Sequence, residues 1–134
     1  MNILIGDAQP RVRFGLQLLF EQQAGWIVVG EVEDAQALLD AVCFRCPDLV
    51  LLDWELPGIP AEDLLTLIRQ ECPHLGVIFM SGRIELRPMA LQAGADIFAY
   101  KADPPEKLLE QIRGFIIEKH KTQYNINGRQ DEED

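Results

Sequence analysis

Five short apolar runs, separated by longer amphipathic stretches, constrain this chain more than any other feature of its sequence. The runs are Ile3–Ile5, Ile27–Val29, Leu49–Leu52, Val77–Met80 and Ile97–Tyr100. Apart from the last, they lack the polar alternation of a half-exposed strand, which predicts strands buried on both faces of a parallel sheet. Between them, apolar residues recur at three- and four-residue spacing, the mark of a helix with one buried face. Examples are Val12, Leu16, Leu19 and Phe20, then Leu38, Leu39, Val42 and Cys43. Leu64, Leu65, Leu67 and Ile68 form a third set, and Leu108, Leu109, Ile112, Phe115 and Ile116 a last one. The stretch from Ile84 to Ala93 is the least hydrophobic of the helices.

Local punctuation agrees with this parse. Asp34 is placed to cap the second helix, Gly58 and Pro60 mark the turn before the third, and Cys72-Pro73 ends it. Gly94 follows the fourth helix where a C′ glycine belongs. Pro104-Pro105 opens the fifth, since proline is tolerated in a first turn. The expected architecture is α/β: a (βα)5 doubly wound parallel sheet, with right-handed crossovers placing helices on both faces. A chain of 134 residues suits one domain, expected over 1–120. Residues 121–134 are poor in apolar side chains and end in acids, so they read as an acidic tail or the start of a linker.

Twelve basic residues against twenty-two acidic ones give a net charge of −10. Such a field repels a polyanion, so direct nucleic-acid binding is not expected. No apolar run approaches the ~18–20 residues of a membrane span, and the acid at Asp7 interrupts the N-terminal run before any signal peptide could form. Three cysteines with no secretory signal point to a reducing cytoplasm and to thiols, not to a disulfide framework.

In an open α/β sheet, functional groups gather beyond the carboxyl ends of the strands. Asp7, Ala8 and Gln9 follow the first strand, and Asp53, Trp54 and Glu55 the third. Ser81, Gly82 and Arg83 follow the fourth, and Lys101 the fifth. Two acids, a hydroxyl and a lysine on one edge point to phosphoryl chemistry on a carboxylate. A divalent cation would sit between Asp7, Asp53 and the main-chain carbonyl near Glu55; magnesium needs only one or two carboxylates, filling its other positions with water and phosphate oxygens. Asp53 would be the nucleophile, with Lys101 and Ser81 holding the remaining phosphoryl oxygens.

The sequence resembles a response-regulator receiver domain of two-component signalling, of the NarL/LuxR type. The likeness is carried by Ile3-Leu4-Ile5-Gly6-Asp7-Ala8-Gln9-Pro10, by Val28-Val29-Gly30-Glu31, by Pro47 through Asp53 with Leu56-Pro57-Gly58, and by Ala93-Gly94-Ala95-Asp96 through Lys101. The resemblance implies a flavodoxin-like sheet with strand order 2-1-3-4-5. It makes Asp53 the phosphoacceptor, Asp7 one of an acidic pair, Ser81 the switch hydroxyl and Lys101 the phosphate-contacting lysine. Phe98 matches an aromatic residue that changes rotamer with the hydroxyl, although plain packing serves it equally well. A histidine kinase as donor, Mg2+ as cofactor, a homodimer and a DNA-binding output domain outside this chain are implied by the same route. So is a signalling role, not an enzyme's: at most self-phosphorylation and autodephosphorylation at Asp53.

One departure from the family pattern is prominent. Ala8 stands where the second acid of the pair is usual, which removes a metal ligand and predicts weakened magnesium binding. Loss of even an outer-shell partner typically costs ~10–100-fold in metal affinity. Glu55 is near enough in sequence to supply the missing charge, or it pairs with Arg83 across the site mouth, or both are simply solvated. The alternative function is therefore a pseudo-receiver, an interaction module that works without phosphorylation. Ala102 after Lys101 is expected to follow a trans peptide bond, since a cis bond there would cost ~2.5–4 kcal/mol. Trp54 is expected to pack at the site rim. Cys43, Cys46, Cys72 and His74 lie where a zinc site is geometrically conceivable, but a buried free Cys43 on the apolar helix face is the simpler reading.

Overall fold

A computed structural model of the chain describes the backbone of residues 1–133 and the side chains of residues 1–121. The elements run β1 (Asn2–Gly6), α1 (Pro10–Glu21), β2 (Ile27–Val32), α2 (Ala35–Phe44), β3 (Leu49–Asp53) and α3 (Ala61–Glu71). They continue with β4 (Gly76–Ser81), a 3-10 turn (Ile84–Leu86), α4 (Arg87–Gln92), β5 (Ile97–Tyr100) and α5 (Pro105–Glu133). The chain divides into two compact units, Met1–Ala102 and Asp103–Asp134. Side chains of the tail expected over 121–134 lie, from residue 122 onward, outside the described residues.

The first unit is a five-stranded parallel sheet in the order β2-β1-β3-β4-β5, as expected. Alternate side chains build two cores. Leu4, Val50, Leu52, Val77, Phe79 and Phe98 pack with Leu38 and Val42 of α2 and with Leu64, Leu65 and Ile68 of α3. Ile3, Ile5, Leu51, Ile78 and Met80 point to the other face and are equally buried. Every residue of β4 is buried; each large apolar side chain there contributes roughly 1.5–3 kcal/mol by leaving water.

Capping follows the sequence. Asp34 accepts a hydrogen bond from the Ala37 amide at 2.8 Å, closing the first turn of α2. Gly94 takes φ +109°, and the amides of Gly94 and Ala95 bond to Leu91 and Ala90 at 3.1 Å each, the Schellman ending that an L side chain would strain. The Lys101–Ala102 peptide is trans.

Four expectations need correction. β2 is not buried on both faces: it is an edge strand, and Ile27 and Val29 are exposed. The helix expected over Ile84–Ala93 is a 3-10 turn followed by the six residues of α4, because Pro88 supplies no amide to a continuous ladder. Cys43 is exposed, because it lies in the last turn of α2 beside Val42, whose side chain takes the buried face there. Cys46 and Cys72 are joined by a disulfide. The sequence places both at helix ends on one edge, and the side-by-side packing of α2 and α3 brings their Cα atoms to 5.9 Å, within bonding range.

Candidate functional site

The carboxyl edge of the sheet gathers Asp7, Asp53, Ser81 and Lys101, each set by the strand before it. The Asp7 amide bonds to the Val32 carbonyl of the neighbouring strand at 3.0 Å, and the Lys101 amide to the Ser81 carbonyl at 2.9 Å. These two bonds extend the sheet by one residue, so the side chains at its end are fixed by backbone pairing.

Asp7 is completely buried. Its Oδ1 accepts from the Gln9 amide at 2.9 Å, and its Oδ2 accepts from Lys101 Nζ at 2.8 Å. The same ammonium donates to Asp53 Oδ2 at 3.2 Å. Asp53 Oδ1 accepts from the Glu55 amide at 3.2 Å, an arrangement that pins the carboxylate over the strand end. Burial pulls the Lys101 pKa down, but the hydrogen bond to Asp7 and the charges of Asp53 and Asp7 outweigh it, and the net shift is upward. Ser81 is buried, and its Oγ accepts from the Arg83 amide at 3.0 Å.

The rim is arranged differently from the centre. Glu55 does not turn into the site; its Oε1 lies 3.0 Å from Arg83 Nη2, and both side chains are more than half exposed. Of the arrangements open to it, Glu55 adopts the pairing across the mouth. Trp54 packs edge-on against the buried Phe79 at 5.0 Å between ring centroids. Phe98 is buried, with the Arg87 guanidinium 5.8 Å from its ring centroid. Ala8 is exposed and brings no ligand.

Arg13 escaped the sequence reading. Its Nη1 donates to the main-chain carbonyl of Asp7 at 2.6 Å, which places a second cation beside the Asp7 backbone. A side chain bonded to a carbonyl leaves no residue pattern to find; the only available signal is a basic residue in the first turn after the first strand.

Asp7 and Asp53 offer hard carboxylate oxygens close enough to share one ammonium, a donor set suited to magnesium in its two-carboxylate form. Among the described residues, no group of three or more His, Cys, Asp or Glu side chains is placed to hold a metal ion. In the disulfide-bonded chain Cys46 and Cys72 are not thiolates and cannot join Cys43 and His74 as zinc ligands.

The fold is matched by comparison with known proteins. The model of the response regulator receiver domain aligns with residues 3–113. This chain belongs to that family. The transcriptional activator protein ExaE of Pseudomonas putida is 36% identical over 115 residues, covering 84% of this chain and 54% of that protein. The nitrate/nitrite response regulator protein NarP of Escherichia coli K12 is 30% identical, covering 84% and 53%. The chain thus spans about half the length of the curated relatives it matches. Among solved structures, a CheY-like receiver domain protein from Methanospirillum hungatei JF-1 superposes with TM-score 0.79 at 27% identity, covering 90% of this chain and 97% of that one. The signal receiver domain of a NarL protein from Mycobacterium tuberculosis gives 0.76 at 25% identity, covering 84% and 93%. The receiver is therefore flavodoxin-like and of NarL/LuxR kinship; receiver domains are generally signalling modules. No helix among its described residues is long and apolar enough to cross a membrane.

Proposed function

We propose that this receiver accepts a phosphoryl group on Asp53 from a histidine kinase and passes the altered state to a partner or output domain. The observation that carries the reading is the shared ammonium: Lys101 reaches Asp53 and Asp7 together, at 3.2 and 2.8 Å. A carboxylate oxygen of Asp53 attacks phosphorus, the P–O bond forms as the P–N bond to the donor histidine breaks, and the nitrogen keeps the electron pair. Lys101 then offers its charge to the phosphoryl oxygens, and the Ser81 hydroxyl donates a hydrogen bond to one of them. Phe98 follows Ser81 as the aromatic half of the switch. The charge event at Asp53 biases a two-state element, which is how a local modification becomes a readable change.

Asp7, Asp53 and the main-chain carbonyl of Glu55 would hold magnesium, whose chemistry is to neutralise charge on the transferring group. Ala8 weakens that site, because the carboxylate usual there is gone and Glu55 is held by Arg83. Cytoplasmic residence, a homodimer, and a DNA-binding output domain in the protein to which the chain corresponds complete the proposal.

A second reading has its own support. With Lys101 neutralising one of two carboxylates and Arg13 beside the Asp7 backbone, the site is close to electrically balanced without a divalent cation. This favours a pseudo-receiver that works as an interaction module. Intact-mass spectrometry after exposure to acetyl phosphate, with and without magnesium, separates the two. A phosphoryl adduct that disappears in Asp53→Ala supports the first reading; a folded chain that stays unmodified there and with a panel of histidine kinases overturns it in favour of the second.

A further inference from the structure

All three cysteines of the chain lie at one corner, at the edge of the sheet opposite the acids. Cys46 follows α2 by two residues, and Cys72 is the C-cap of α3, its amide bonded to the Ile68 carbonyl at 2.8 Å. Both precede a proline, Pro47 and Pro73, and both lead within a few residues into paired strands, Leu49 lying beside Gly76. The two ends of the disulfide differ. Cys46 is exposed, whereas Cys72 is buried in the α2–α3 core. Cys43, one helical turn before Cys46, is a free and exposed thiol.

The corner is also held without the disulfide. Arg69 of α3 donates to the carbonyls of Leu75 and Gly94 at 2.8 and 2.7 Å and to Asp96 Oδ2 at 3.0 Å, while Asp96 Oδ2 accepts from the Val77 amide at 2.8 Å. Leu64, Leu65 and Ile68 pack against Leu38 and Val42 across the same helix pair. Opening the bond therefore leaves a packed, hydrogen-bonded corner, with Cys46 an exposed residue and Cys72 a buried one.

We propose that Cys46–Cys72 is a thiol–disulfide exchange site that takes a dithiol reductant as its partner. A thiolate of the reductant attacks Cys46 Sγ, the only member of the pair on an exposed residue. The Cys46–Cys72 bond breaks, and Cys72 leaves as a thiolate that takes up a proton. The second thiol of the reductant then attacks its own mixed disulfide, releasing Cys46 as a thiol and carrying away the oxidised reductant. Two electrons pass from the dithiol to the protein, and an oxidised dithiol reverses the sequence. Cys43 stands aside as the permanent thiol: desolvation at the helix end and the carboxylates of Glu71 and Asp40 raise its pKa, which lowers its thiolate fraction. The site shares no residue with the Asp53 chemistry and stands whether or not that carboxylate is phosphorylated.

The test equilibrates the full chain, without oxygen, against thioredoxin-class dithiol and glutathione buffers spanning reducing to oxidising ratios. Quenching with an alkylating reagent and peptide mass mapping then identify the thiols. Cys46 and Cys72 should gain and lose label together in one two-electron transition, with Cys43 labelled throughout and the circular dichroism spectrum native at both ends. Cys43→Ser should keep the transition. A bond that opens only in denaturant overturns the proposal and makes the disulfide a structural tie. Thiols that stay unpaired in fully oxidised buffer overturn it too, as does a pair that includes Cys43.

Discussion

Lys101 Nζ lies 2.8 Å from a carboxylate oxygen of Asp7 that has no contact with solvent. Removing one partner of such a pair leaves the other charge buried, which costs ~3–5 kcal/mol when no water can reach it. Lys101 is itself partly exposed, so the low end of that range applies. Lys101→Met should lower stability by about 3 kcal/mol in urea unfolding, with an unchanged m-value.

The same pair sets a pH dependence. The Lys101 pKa is raised in the folded chain, so its contribution is complete below the ordinary lysine value of ~10.4 and is lost as pH rises through the higher folded value. The stability gap between the wild-type chain and Lys101→Met should be flat from neutral pH to about 10 and narrow above it. A gap that instead narrows on acidification through neutral pH contradicts the assignment.

An acid at position 8 should strengthen a magnesium site formed by Asp7 and Asp53. Ala8 is exposed beside the carboxylate pair, and an aspartate there adds a charged ligand without displacing packed side chains. Ala8→Asp should tighten magnesium by roughly 10–100-fold, measured by calorimetry on the unphosphorylated chain.

Glu55 and Arg83 form an exposed pair, and such pairs are worth ~0–1 kcal/mol. Glu55→Gln should therefore leave unfolding free energy within about 0.5 kcal/mol of wild type. It should also leave magnesium affinity unchanged, because Glu55 faces Arg83 and not the carboxylates. A clear loss of affinity would show that Glu55 swings inward when the cation binds.

Much of this molecule is legible in its sequence, for identifiable reasons. The buried runs of β1, β3 and β4 announce a parallel sheet because both faces exclude water, and that sheet fixes which strand ends share an edge. Asp7, Asp53, Ser81 and Lys101 follow from this placement. Their partners do not. Whether Glu55 turns to a cation or to Arg83 depends on rotamers, and Arg13 acts on a carbonyl that every residue possesses. The disulfide stayed hidden because cysteine count and compartment argued for thiols, while the spacing of two packed helices decides which sulfurs meet.

The Asp7–Lys101 bond also bears on how the chain is made. Its partners stand 94 positions apart, at opposite ends of the sheet-forming sequence. Asp7 leaves the ribosome early, and the ammonium that makes its burial tolerable follows only after the other four strands. An early sheet of β1 to β4 would have to bury a lone carboxylate or leave that edge open. The final sheet is thus completed late, when residue 101 is free to join, and nascent chains halted before that point should remain open to proteases that spare the finished fold.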